Sequence, residues 1–153
     1  MADPLINILR KRPEVLELLG RAWDALYVEY EGGAAPDIGK RREAFIKMML
    51  KEELGLNVVV APSTERDWDF KLIVNGEERA YTLKTMERLT VIKVAWNGFP
   101  SIERARKFEF KHPMLCIIGD RRSKRIDVYV FEVEDLESLK REMEDSMWWI
   151  PKR

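Results

Sequence analysis

Residues 67–85 read DWDFKLIVNGEERAYTLKT. Two runs of β-favouring residues flank Asn75-Gly76, a strong hairpin signal because the tightest hairpin turns need positive φ at both central positions. Side chains alternate across a strand, so Asp67 and Asp69 share one face of the first run, and Thr82 and Lys84 share one face of the second. A two-residue loop sets Asp69 opposite Thr82 and Asp67 opposite Lys84, whereas a four-residue loop sets Asp69 opposite Lys84. Both registers bring Asp69 and Lys84 to the same face. A three-residue loop would separate them, since a one-residue slip reverses every side chain. The juxtaposition has two uses: an exposed cross-strand ion pair, worth less than ~1 kcal/mol, or chemistry.

The segment upstream, KRREAFIKMMLKEEL (40–54), separates these readings. Its spacing predicts a helix from Ile38 to Leu54 with Gly55 as the residue that ends it. Phe45, Met48 and Met49 form the apolar side. The two methionines read as core, with a wedge between DNA base steps as their other use. Glu43 lies on a face that continues to Leu50 and Leu54. It can pair with Lys47 at i,i+4, or a helix packed on the sheet can bring it to Asp69. Two carboxylates with backbone carbonyls make a hard oxygen site suited to Mg²⁺. An adjacent lysine can polarise an attacking water and offset phosphate charge.

The remaining elements frame this centre. Asp3-Pro4 starts a helix, Pro13 starts another, and Leu16, Leu19, Ala22, Trp23 and Leu26 recur at helical spacing until Gly32-Gly33. GGAAPDIG is a flexible connection. NVVVAP and MLCIIG read as buried strands, and LTVIKVAW as a further strand. Ser101 can cap a helix over SIERARKFEFK, RIDVYVFEV alternates as a strand, and Asp135 can cap a final helix over DLESLKREMED. The tail SMWWIPKR carries Trp148 and Trp149, anchors for the domain's own core or for a second subunit. The fold class is α/β: a mixed β-sheet core flanked by helices. One domain spans residues 1–153, with an N-terminal helical part (1–33), a core (38–145) and an aromatic tail (146–153).

Composition limits the function classes. The 153 residues are 46% hydrophobic and 35% charged, a globular composition with no apolar run of membrane-spanning length. With one cysteine and one histidine, Cys116 and His112, neither a disulfide framework nor a structural zinc site is expected. The N-terminus lacks the layout of a signal peptide, so a cytoplasmic location is expected. Abundant charge without any glutamine resembles thermophile usage. Net charge is zero, but residues 101–126 hold eight basic against three acidic residues. A neutral total can thus hide a basic face. Arg104, Lys107 and Lys111, then Arg121 and Arg122, and Lys93 on its strand, are the candidates for contact with phosphates.

The order helical Glu, strand, Asp at the start of the next strand, hairpin, Lys on the return strand resembles the PD-(D/E)XK nuclease superfamily. The run LKTMERLTVIKVAW is similar to type II restriction endonucleases, the ThaI-like group in particular. The order GKRREAF, DWDF, YTLKT also resembles archaeal Holliday-junction resolvases. The resemblance covers roughly residues 39–133 and implies a restriction-endonuclease-like fold and a metal-dependent DNA endonuclease that cuts duplex sites as a homodimer. It assigns Asp69, Glu43 and the backbone carbonyl of Leu83 to Mg²⁺, with Mn²⁺ as a substitute, and Lys84 as the catalytic lysine. Thr82 and Asp67 become supporting groups. The family places an acid two residues before the lysine, where this chain has Thr82. That departure keeps two alternatives open: a structure-selective nuclease such as a junction resolvase, and an inactive nucleic-acid-binding protein that retains the fold.

Overall fold

The computed structural model describes residues 3–27, 29–30, 33–34, 38–65, 67–88, 92–93, 109–143 and 146–149. Asp3 opens α1 (Pro4–Arg10) as expected: its Oδ1 accepts the amides of Leu5 at 2.8 Å and Ile6 at 3.2 Å. Pro13 opens α2 (Pro13–Ala25). That helix ends at Ala25, not at Gly32-Gly33, and a short ribbon of β1 (Glu29–Tyr30) and β2 (Gly33–Ala34) follows. Next come α3 (Ile38–Glu52) and β3 (Asn57–Val60). Gly55 ends α3 at φ 62°, and the Leu56 amide returns to the Leu50 carbonyl at 3.2 Å.

The hairpin is β4 (Phe70–Val74) and β5 (Glu77–Met86), followed by β6 (Ile92–Lys93), β7 (Met114–Gly119) and β8 (Ile126–Phe131). The chain continues through α4 (Val133–Leu139), β9 (Lys140–Met143) and β10 (Ser146–Trp149). The final helix therefore starts earlier and stops sooner than its sequence implied. Asp135 is the third residue of α4, and its Oδ2 accepts the Glu132 amide at 3.2 Å. That is the returning half of a capping box. The expected helix over residues 101–111 falls mainly outside the described residues.

Five strands form a mixed sheet in the order β3-β4-β5-β7-β8. Only β5 and β7 run parallel, with Lys84 beside Cys116. A second sheet, β6-β10-β9, pairs Trp148 with Lys93 and Trp149 with Ile92 along the backbone. Helices α1, α2 and α3 bury Leu5, Leu19, Trp23, Ile46 and Met49 with Tyr81, Leu83 and Leu115 of the large sheet. On its other face Leu136 of α4 packs with Met114, Cys116 and Phe131. All six residues of β7 are buried, which suits a strand covered on both faces.

Two expectations change at the sheet edge. Among the described residues β3 pairs with β4 alone, and Val59 and Val60 are 43% and 48% exposed while Val58 is buried. Met49 is core, but Met48 is 51% exposed.

Two polar clusters lock the helices to the sheet. Asp3 Oδ2 accepts Arg79 Nε and Tyr81 OH, each at 2.8 Å, and Arg79 Nη2 reaches Glu132 at 2.5 Å. Arg42, buried on α3, lies 4.3 Å from the Trp23 ring centre, and its Nη2 donates to the Trp23 carbonyl at 3.3 Å and to Glu87 at 3.0 Å. Arg42 thereby ties α3 to α2 and to the residue just beyond β5.

Candidate active site

The β4–β5 turn takes two residues, with Asn75 at φ 53° and Gly76 at φ 81°. The ladder pairs Phe70 with Tyr81, and its continuation sets Asp69 across from Thr82. The Asp69 amide donates to the Tyr81 carbonyl at 2.8 Å, and the Leu83 amide donates to Asp69 Oδ2 at 2.7 Å. Asp69 is thus held by backbone at both ends, with its second carboxylate oxygen outside this bond. Alternation along β5 puts Lys84 on the Thr82 face.

Glu43 arrives from α3. Its carboxyl titrates above the usual carboxylate range, first because it is buried, then because the Asp69 charge acts on it; Lys84, Lys47 and Lys40 pull the other way. Glu43, Asp69 and Lys84, separated by more than 40 residues of sequence, therefore form one electrostatic group. Val60 of β3 pairs with Phe70, beside Asp69, and lines the same groove as Glu43. The group thus lies near the end of the sheet where β4 begins.

Two carboxylates crowded in a half-buried site repel each other, and a hard divalent cation relieves that cost. The oxygen donors fit Mg²⁺. Among the described residues no cluster of three or more His, Cys, Asp or Glu side chains gathers. An ion here would rest on Glu43, Asp69, a backbone oxygen such as that of Leu83, and water. Cys116, next to Lys84 in register, is no competing ligand: burial pushes its thiol up to about 12, against the pull of the Lys84 charge.

The other candidates are dispersed. Thr82 Oγ1 donates to the Pro113 carbonyl at 3.4 Å. Asp67 pairs with Lys111 at 3.2 Å, so each already has a partner. Arg121 turns inward, 3.5 Å from the Tyr27 ring centre and 3.5 Å from Glu87. Arg122 is exposed, and its amide is held by Asp120. Lys93 lies on β6, and Arg104 and Lys107 lie outside the described residues.

A basic stripe missed in the sequence lines the groove beside Glu43: Lys40, Lys47 and Lys51 of α3. Their i, i+7, i+11 spacing was the signal that could have found them. No helix among the described residues is long and apolar enough to cross a membrane.

No protein-family model matches the chain, and no curated protein matches it significantly. Among solved structures, a restriction endonuclease in complex with substrate DNA superimposes with a TM-score of 0.53 at 22% identity. The fold is restriction-endonuclease-like. The match covers 76% of this chain and 60% of that enzyme's chain.

Proposed function

We propose that this protein is a Mg²⁺-dependent endodeoxyribonuclease of the PD-(D/E)XK type, related to the ThaI-like type II restriction enzymes and cutting duplex DNA as a homodimer. The observation that carries the reading is Asp69 bonded to the Leu83 amide on the strand of Lys84, with Glu43 of α3 close enough to feel the Asp69 charge, on a restriction-endonuclease-like fold. A carboxylate pair with a lysine beside it is what metal-assisted phosphodiester hydrolysis requires. A double-strand cut at a symmetric site calls for two such centres related by a two-fold axis.

In this reading Asp69 and Glu43, with the Leu83 carbonyl, hold the metal ion. When bound, the ion neutralises phosphate charge and stabilises the oxygen that departs. The Leu83 amide fixes one oxygen of the Asp69 carboxylate and would leave the other for the ion. Lys84 orients a water for attack in line with the departing 3′ oxygen and offsets the charge that develops.

Thr82 supports a second reading, an inactive DNA-binding protein. It stands where the family carries an acid, and its hydroxyl is turned to Pro113. Incubation of the protein with supercoiled and linear DNA, in Mg²⁺, Mn²⁺ or EDTA, separates the two readings. Discrete fragments that vanish with EDTA and with Lys84→Ala are expected. Nicking of branched substrates alone would indicate a structure-selective nuclease, and binding without cutting would establish the inactive protein.

A further inference from the structure

Most basic residues described above are occupied elsewhere. Lys111 is paired with Asp67, Arg121 with Glu87 and Asp24, and Arg125 with Asp127. Lys40, Lys47 and Lys51 make no such ion pair among the described residues, although the charges of Lys47 and Lys40 act on Glu43. They fall on one stripe of α3, since seven and eleven residues are close to whole turns, and all three line one groove of about 480 Å³ with Glu43, Met48 and Val60. Glu52 also lines it, so the wall carries three ammonium groups against two carboxylates. One of those carboxylates, Glu43, belongs to the proposed metal site. The stripe spans about 17 Å at 1.5 Å per residue, close to the rise of about five nucleotides of one DNA strand at 3.4 Å each.

The groove floor matches the same occupant. Met48 and Val60 are 51% and 48% exposed, large apolar groups placed between the lysines and the sheet edge. A sugar-phosphate strand offers both chemistries: phosphates for the ammonium groups and deoxyribose faces for the apolar ones. A free phosphate or small anion would leave the apolar floor and most of the stripe unused.

We propose that the groove between α3 and β3 binds the sugar-phosphate backbone of one DNA strand flanking the scissile phosphate, with Lys40, Lys47 and Lys51 as its phosphate contacts. This assignment rests on the nuclease reading of the Glu43–Asp69–Lys84 site, of which Glu43 lines the groove. It identifies a strand-binding track on α3, a segment other than the basic runs 104–111 and 121–125 of the sequence.

The test is DNA binding under conditions where cutting is silent. A fluorescent duplex is titrated by anisotropy with Ca²⁺ in place of Mg²⁺, over a salt series, for wild type, for the triple variant Lys40→Gln/Lys47→Gln/Lys51→Gln, and for Lys40→Arg/Lys47→Arg/Lys51→Arg. Loss of three phosphate contacts lowers the slope of log affinity against log salt by about 2.7 and weakens binding by about tenfold or more. The arginine variant retains both slope and affinity, which excludes loss of folding as the cause. A glutamine variant with the wild-type slope overturns the track while leaving the nuclease reading standing. Absence of DNA binding by the wild type overturns both. Cleavage that survives Lys84→Ala, with the lysine slope effect intact, removes the catalytic assignment and keeps the track.

Discussion

The Leu83 amide donates to Asp69 Oδ2 at 2.7 Å across the hairpin. This bond joins the residue proposed to hold the metal to the strand that carries Lys84. Asp69 is therefore both a charge and a structural acceptor, and two substitutions separate the roles. Asp69→Asn keeps a carbonyl oxygen for the Leu83 amide but removes the charge. It should reduce cleavage by about 100-fold or more with little change in melting temperature. Asp69→Ala also leaves the amide without its acceptor and should cost about 1–3 kcal/mol of stability. Paired melting curves and cleavage rates check this; equal stability of the two variants would show that the bond contributes nothing.

Glu43 gives a pH test on the metal-free protein. Its carboxyl is raised by burial and by Asp69, so the folded state holds that proton more tightly than the unfolded chain does. Stability from this group is fully present below the unfolded carboxyl's range and is lost as pH rises through the folded value. Ionised Glu43 thus opposes folding at neutral pH. In EDTA, Glu43→Gln should melt higher than wild type at neutral pH, and the gap should close in acid. Adding Mg²⁺ should stabilise wild type, by about 2.7 kcal/mol at a hundredfold excess over Kd, and should affect the variant far less. Identical melting profiles across pH would place Glu43 away from Asp69.

Thr82 invites the reverse experiment. Thr82→Asp restores the acid that the resembling family carries two residues before the lysine. It also adds a negative charge opposite Asp69, which should cost the metal-free protein about 0.5–1 kcal/mol. If the site is a working metal site, the variant should bind Mn²⁺ more tightly and cut faster, read by calorimetry and by initial rates. Weaker metal binding in Thr82→Asp would argue that the hydroxyl, held toward Pro113, is part of the site's design.

How much of this was legible before the structure depended on whether the deciding partner was local. The Asn75-Gly76 pair carried its own turn geometry, so the hairpin and the shared face of Asp69 and Lys84 followed from sequence, whereas the choice between a two-residue and a four-residue loop came only with the ladder. Asp3 as a cap was equally local, but its bonds to Arg79 and Tyr81 join residues 76 and 78 positions apart, and nothing in the N-terminal sequence points to them. The run NVVV reads alike in a central strand and at an edge; only the strand order exposes Val59 and Val60. Met48 and Met49 are adjacent letters, and the direction of α3 against the sheet decides which one is core. Arg121 looked free for phosphate because Asp24, Glu87 and Tyr27, which hold it, are remote in sequence. The α3 lysines had a visible period, but Val60, which makes the stripe one wall of a groove, comes from another element.

The Asp3 cluster predicts a stability effect well away from the site. Asp3→Ala removes the cap of α1 and the acceptor for Arg79 and Tyr81. Cap loss costs about 0.5–2 kcal/mol, and the stranded Tyr81 hydroxyl, already held protonated by burial and by Asp3, adds about 1–3 kcal/mol. A loss near 3 kcal/mol should lower the melting temperature by roughly 6–12 °C for a chain of this size. Asp3→Asn should recover much of the cap. A drop below about 2 °C for Asp3→Ala would mean that the cluster holds the N-terminus in place without stabilising the sheet.

Arg42 links packing to chemistry. Its guanidinium is sandwiched against Trp23 and bonded to Glu87 just beyond β5, while Glu43, the next residue, faces the Asp69 charge. Replacing Arg42 by Met keeps the length of the stem but removes the bonds that tie α3 to α2 and to Glu87. The cation–π contact and the hydrogen bonds together suggest a loss of about 2–3 kcal/mol. A small roll of α3 also moves Glu43, because side chains on a helix turn as a body. Arg42→Met should therefore weaken Mg²⁺ binding and slow cleavage, although Arg42 touches neither metal nor substrate in the proposed site. Glu87→Gln, which keeps a neutral acceptor at the exposed end of the pair, should have a smaller effect on both. Calorimetric Mg²⁺ titrations of the folded variants decide the matter: unchanged affinity in Arg42→Met would confine Arg42 to stability and detach the roll of α3 from the site.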